Sequence, residues 1–174
     1  MNYLVLGFLY ILSGFFMKLS DDAYDENDNL YLAIVFGILC ALASGIATVF
    51  DADAAYVFIG ILIGNLLAFK IDGIHHAITT VVFALICLIC GIPNLSWVIL
   101  LLTILAALSD EIGHELISNV TNNTFIILFF EYRFVMKIEI FLLAVCGVLS
   151  YWTFILFILF ELSYMVPDLV LKKD

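Results

Sequence analysis

The sequence predicts an all-α protein, a polytopic transmembrane bundle of about seven helices forming one domain over residues 1–174. Three observations predict it. Hydrophobic residues make up 66% of the chain and charged residues only 13%, whereas a soluble domain is about half apolar and about a quarter charged. The apolar residues fall into long runs, and about 17–25 such residues cross a bilayer as a helix. The basic residues sort to one side once the crossings are counted, as they do in proteins oriented by the positive-inside rule.

The first run, residues 3–19, just spans, and an acidic segment follows it through Asp28. With no basic segment before it and no small-residue cleavage site, it reads as a retained helix rather than a signal peptide. The second run, 30–50, is comfortable, and Asp51-Ala52-Asp53 turns the chain. The third, 54–69, is short and ends at Lys70, with Asp72, His75 and His76 beyond it. The fourth, 77–90, stops at Gly91-Ile92-Pro93-Asn94. The fifth, 95–109, ends in a second acidic segment, and polar residues 118–124 lead to an amphipathic stretch around Glu131-Tyr132-Arg133. The last two runs are 134–149 and 151–166, with Pro167 predicted to end the final helix before Lys172-Lys173. Helices one, three and five then finish on one membrane face. That face carries Lys18, Lys70, Arg133, Lys137, Lys172 and Lys173, all six basic residues. It is therefore read as cytoplasmic, with the N-terminus outside, the C-terminus inside and the protein multi-pass in the cell membrane.

One heptapeptide pattern occurs twice on that face. Ser20-Asp21-Asp22-Ala23-Tyr24-Asp25-Glu26 and Ser109-Asp110-Glu111-Ile112-Gly113-His114-Glu115 both follow a long apolar run. Residues at i, i+3 and i+4 share a helix face, so Asp22, Asp25 and Glu26 are expected together, as are Glu111, His114 and Glu115. Carboxylates this close repel unless a cation or proton lies between them. Acidic residues wetting two helix ends would look the same in either copy alone; the repetition on one face favours a metal site. Carboxylate oxygens suit Mg²⁺ or Mn²⁺, and imidazole brings Zn²⁺ into consideration. Two such clusters with Lys70 nearby suggest a clamp for a diphosphate, reached by a lipid-tailed substrate from the membrane. The candidate metal ligands are Asp21, Asp22, Asp25, Asp110, Glu111 and His114. Asp25, Lys70 and Asp110 are the catalytic candidates, and Lys70, Asp72 and Arg133 the substrate-binding ones.

These residues also carry a family resemblance. The chain resembles the UbiA superfamily of intramembrane prenyltransferases, helical bundles with two Asp-rich motifs on the cytoplasmic face, NDxxDxxxD and DxxxD. Asp21-Asp22-Ala23-Tyr24-Asp25-Glu26-Asn27-Asp28-Asn29 approximates the first motif and Asp110-Glu111-Ile112-Gly113-His114 the second. Four helices separate the motifs in the family, as expected here, and Lys70 falls where the family places a basic loop residue. The resemblance implies that Asp22, Asp25, Asp110 and His114 hold Mg²⁺. It further implies that Lys70 binds the diphosphate of a prenyl donor and that the prenyl tail lies among aromatic side chains. The chain departs from the family in being shorter, in lacking the arginines after the first motif, and in carrying His114 where the family has an aspartate.

Other readings of the same residues are a metal-dependent lipid hydrolase, a divalent-cation transporter and a non-catalytic assembly subunit. Transport is disfavoured because the predicted helix centres hold little charge beyond Glu161. A net charge of −10 disfavours nucleic acid. Cys87-x-x-Cys90 sits within an apolar run and reads as packing. Gly60-x-x-x-Gly64 and Gly37-x-x-x-Ala41-x-x-x-Gly45 are expected to let helices approach closely.

Overall fold

The computed structural model describes residues 2–71 and 73–171. Among them the chain forms eight helices and no strand. In order these are α1 (Tyr3–Asp25), α2 (Leu30–Phe50), α3 (Ala52–Leu67), α4 (Ile74–Cys90), α5 (Trp97–Val120), α6 (Thr124–Glu131), α7 (Phe134–Val145) and α8 (Tyr151–Leu171). Stretches over Tyr3–Asp25, Leu30–Phe50, Trp97–Ile117 and Tyr151–Leu169 are long and apolar enough to cross a membrane, and α3 and α4 are shorter apolar helices. The protein is an all-helical membrane protein on that footing. Asp72 and Lys172-Lys173 lie outside the described residues.

Short polar side chains start several of these helices. Asn2, Asn29 and Asn123 accept backbone N–H groups of Leu4, Leu32 and Phe125, and Asp51 accepts that of Ala54. Each satisfies an amide that the first turn leaves without an intrahelical partner.

Several boundaries differ from the sequence expectation. Helix α1 runs through the first heptapeptide to Asp25, and α5 through the second to Val120. The serine opening the second heptapeptide does not break α5, because Ser109 Oγ donates to the carbonyl of Leu105 four residues back. His75 and His76 belong to the first turn of α4 rather than to a loop. The expected sixth run is shorter, ending at Val145, where Gly147 at φ 71° closes the turn. The amphipathic stretch before it forms the eight-residue α6. Pro167 does not end α8, which continues to Leu171. The cost is local: the carbonyl of Ser163 loses its helical donor.

Three parallel helix pairs make the bundle: α1 with α8, α2 with α4, and α3 with α5. Each pair has a glycine seam. A side chain on Gly14 would collide with the backbone carbonyl of Phe160 in α8. One on Gly37 would meet Thr79 Oγ1 of α4, and a Cβ on Gly64 would lie 2.7 Å from Ala107 Cβ of α5. The two small-residue patterns noted in the sequence thus face α4 and α5. In lipid, where apolar burial gives helices little reason to associate, close packing of this kind is a main source of attraction. Helices α1, α2, α3, α5, α7 and α8 close a ring, with α4 outside on α2 and α6 on α5.

The ring is plugged by aromatic residues. Tyr10 and Phe157 are essentially fully buried, and the Phe58 ring lies 4.8 Å from Tyr10 and 5.8 Å from Phe160. Beyond this plug, one end of the bundle is tied by Asp53, whose Oδ2 accepts the Ser150 amide at 2.8 Å and the Thr153 hydroxyl at 2.6 Å. That carboxylate holds the start of α3 to the start of α8. The heptapeptides lie at the other end.

The α3–α5 seam leaves no room for branching. Gly64→Val should destabilise the fold by roughly 1–3 kcal/mol, the usual range for overpacking. Thermal unfolding in detergent should show a lowered Tm, with Ala less damaging than Val.

Candidate functional site

A cavity of about 250 Å³ opens at the heptapeptide end. The first heptapeptide contributes Ser20, Asp21 and Asp25 to its wall, and the second contributes Glu111 and His114. Lys70, His76, Arg133 and Tyr164 complete the polar lining. The two acidic segments therefore meet in one chamber. A second cavity of about 100 Å³ adjoins it, lined mostly by apolar residues including Phe58, Ile61, Leu62 and Phe83. The two share Met17, Cys40, Asn65, Lys70, His76 and Thr79. A polar chamber thus passes into an apolar slot, with Lys70 and His76 at the junction.

The face of α1 turned to the chamber differs by one residue from the expected one. Asp22 does not join Asp25; its carboxylate lies 3.0 Å from Lys18 Nζ, one helical turn back. Lys18 also reaches Asp168 of α8 at 3.2 Å. Asp21 takes the inward place, its Oδ2 accepting the Tyr164 hydroxyl at 3.0 Å. Next to it, Ser20 Oγ donates to the Ala33 carbonyl, pinning the end of α1 to the start of α2.

In the second heptapeptide two of the proposed ligands have other partners. Asp110 is buried, and its two carboxylate oxygens accept the amides of Val135 and Met136 at 3.0 and 2.8 Å. It thereby caps α7 from a different helix, supplying negative charge to the positive end of that helix. Glu111, 5% exposed, lies 2.9 Å from the Arg133 guanidinium. His114 is exposed, with Nδ1 3.6 Å from Glu131.

The cations are placed by unusual backbone. Phe69 has φ 58° and Arg133 φ 50°, left-handed conformations that non-glycine residues seldom adopt. At Phe69 the chain doubles back, so that the Lys70 amide bonds to the Asn65 carbonyl and Lys70 Nζ lies 3.1 Å from Glu115. Arg133 sits between α6 and α7, with its guanidinium 5.9 Å from the Tyr164 ring centroid. Burial pulls its pKa down, but the charge of Glu111, with Tyr164, Glu161 and Asp21 behind it, raises it overall. Lys137 pairs with Glu161 at 2.9 Å. All four described basic residues are thus engaged by carboxylates at this end.

The six residues proposed to hold Mg²⁺ do not form one shell. Lys18 holds Asp22, two amides hold Asp110 and Arg133 holds Glu111. Of the six, Asp21, Asp25 and His114 line the chamber, Asp21 accepting the Tyr164 hydroxyl and His114 lying 3.6 Å from Glu131. A single magnesium site built from these six residues of both heptapeptides therefore does not fit this arrangement. Among the described residues, the metal-ligating side chains that do come together are Asp21, His75 and His76.

Sequence reasoning missed Tyr164, which carries no motif and reaches Asp21 only through the α1–α8 seam. It also missed Glu139, inside α7, whose Oε1 accepts the Thr103 hydroxyl of α5 at 3.2 Å. Helix centres are thus less free of charge than the apolar runs suggested. A carboxylate inside the 134–149 run was the available signal. No family model, curated protein or solved structure matches the chain.

Arg133 combines backbone strain with an ion pair to the buried Glu111, and the two have opposite consequences on substitution. Arg133→Gly relieves about 1 kcal/mol of left-handed strain but strands Glu111, at about 2–3 kcal/mol for a lost hydrogen bond to a buried charge. The variant should therefore have a lower Tm than the parent. Arg133→Lys should fall between them by the same measurement.

Proposed function

We propose that the protein is an integral membrane enzyme acting on an amphiphile with an anionic phosphate head and an apolar tail, and that its reaction is prenyl transfer from a prenyl diphosphate. One observation carries this reading: the chamber where both heptapeptides meet continues into an apolar slot, with Lys70 at the junction. A diphosphate joined to a hydrocarbon chain has that same division of polarity. Lys70 and Arg133 would bind its phosphate oxygens as charge-assisted donors. Phe58, Ile61, Leu62 and Phe83 would hold the head-proximal part of the tail.

In the transfer itself, the acceptor's nucleophilic atom bonds to C1 of the prenyl chain as the C1–O bond to diphosphate breaks. Diphosphate leaves with the bonding electrons, and Asp25, exposed at the chamber, takes the proton that the acceptor loses. Three lining carboxylates, Asp21, Asp25 and Glu111, stand against the two fixed cations Lys70 and Arg133. An anionic head therefore enters favourably only with a cation beside it. The acceptor would be a membrane lipid or an aromatic compound. Hydrolysis of a phosphate-linked lipid is the second reading, favoured by the gathering of Asp21, His75 and His76.

Protein in lipid nanodiscs, given a prenyl diphosphate and a lipid extract, should release diphosphate and yield a prenylated product detectable by mass spectrometry. Lys70→Ala should lower turnover roughly 10–100-fold, corresponding to one charge-assisted contact. Leu62→Trp should raise KM for long-tailed donors while sparing short ones. Diphosphate release without any acceptor product would favour hydrolysis, and no consumption of the donor would defeat both readings.

The same reading places the heptapeptide end in the cytoplasm, supported by the four described basic residues gathered there. It includes seven crossings, with α6 lying along the interface. Cys90 and Cys146 are exposed at the far ends of α4 and α7. As single-cysteine variants in intact cells, both should react with a membrane-impermeant maleimide. Labelling only after permeabilisation would reverse the orientation.

A further inference from the structure

We propose that Asp21, His75 and His76 form a three-ligand site for a transition-metal dication of the Zn²⁺ or Fe²⁺ class, with its open coordination position facing the polar chamber. One ligand atom from each residue lies within 4.8 Å of the others. Metal–ligand bonds of about 2.0–2.2 Å need donors roughly 3–3.5 Å apart. Closing the group therefore takes a movement of about 1–2 Å, within the reach of side-chain rotation.

The carboxylate is already prepared. Tyr164 holds Asp21 Oδ2, while Oδ1 is buried, makes no hydrogen bond among the described residues and lies 3.6 Å from His76 Nε2. That oxygen faces the His76 imidazole, and its partner atom has the kind of outer hydrogen bond that orients ligands in metal sites. The histidines are also confined. The His75 ring stacks on Tyr24 with centroids 4.3 Å apart and lies 4.0 Å from the His76 ring. A Cβ on Gly73 would sit 2.5 Å from His75 Nδ1, so any side chain there would force the ring to shift.

The donor set decides the class of metal. Two imidazoles and one carboxylate suit zinc, iron and related metals, whereas magnesium favours oxygen and water. Three protein ligands with a vacant position are typical of reactive metal sites rather than structural ones. Asp21 and His76 both line the chamber, so the vacant position would face a bound phosphate head. The inference rests on the chamber being a site, as the proposed function does, but not on prenyl transfer.

The test measures metal directly. Full-length protein in nanodiscs, loaded with Zn²⁺ or Co²⁺ and desalted, should retain about one ion per chain by elemental analysis. The Co²⁺ form should show visible d–d absorption perturbed by imidazole. Asp21→Asn, His75→Ala and His76→Ala should each weaken binding by about 10–100-fold or more, the scale associated even with outer-shell losses. His76→Gln provides a milder change if the alanine variant does not fold, and Asp110→Asn should retain the ion. Metal-free wild type at saturating Zn²⁺, Co²⁺ and Fe²⁺, or unaltered binding in folded His75 and His76 variants, overturns the inference. Tighter retention of Mg²⁺ than of Zn²⁺ overturns it as well. Retained metal with no prenyl donor consumed would leave this site standing and remove the proposed reaction.

Discussion

The structure depends on helices that touch through glycine. Gly14 brings α1 against the backbone of α8, and Gly37 brings α2 against the start of α4. Each contact lies about two turns or less from a component of the chamber. The first seam sets Tyr164 beside Asp21, and the second sets His75 and His76 beside the end of α1. A bulkier residue at either glycine would move a wall of the site as well as weaken the packing. Stability and site geometry are therefore controlled by the same few contacts, as expected where lipid supplies little hydrophobic force between helices.

Electrostatic pairing then divides the acidic residues into two groups. Asp22, Glu111, Glu115, Glu161 and Asp168 neutralise the basic side chains, and Asp110 neutralises a helix end. Unpaired buried charge is costly, so these pairings hold the heptapeptide ends of the helices in register. Asp21 and Asp25 remain turned to the chamber. The acidity of the heptapeptides thus overstates the acidity of the site. Much of it is structural, and the aspartate left facing the chamber, Asp21, is grouped with two histidines from another helix.

The broad architecture was legible because it depends on local pattern. Apolar runs marked α2 and the starts of α1 and α8 closely, while Asn29 and Asp51 stood where helices begin. Small residues spaced by four identified the seams on α2 and α3. That both heptapeptides would share a face followed from counting crossings. The identity of the inward-facing carboxylate was not legible, since α-helical spacing alone favoured Asp22 and only Lys18 one turn earlier turns it away. Asp110 looked like a ligand because its partners, the amides of Val135 and Met136, are 25 and 26 residues away and leave no side-chain motif. The two histidines looked like loop residues because a polar His-His pair begins α4 where an apolar run was sought.

Helix α1 packs on its neighbour α2 and also on α8, far along the chain. While α1 is being inserted, the residue that packs on Gly14, Phe160, is still far from synthesis. The early helices can pair α2 with α4 and then α3 with α5, but the ring stays open until α8 arrives. Tyr164 and Asp168 arrive with it. The chamber is consequently complete only once α8 is in place, and without α8 it would lack the wall that orients Asp21.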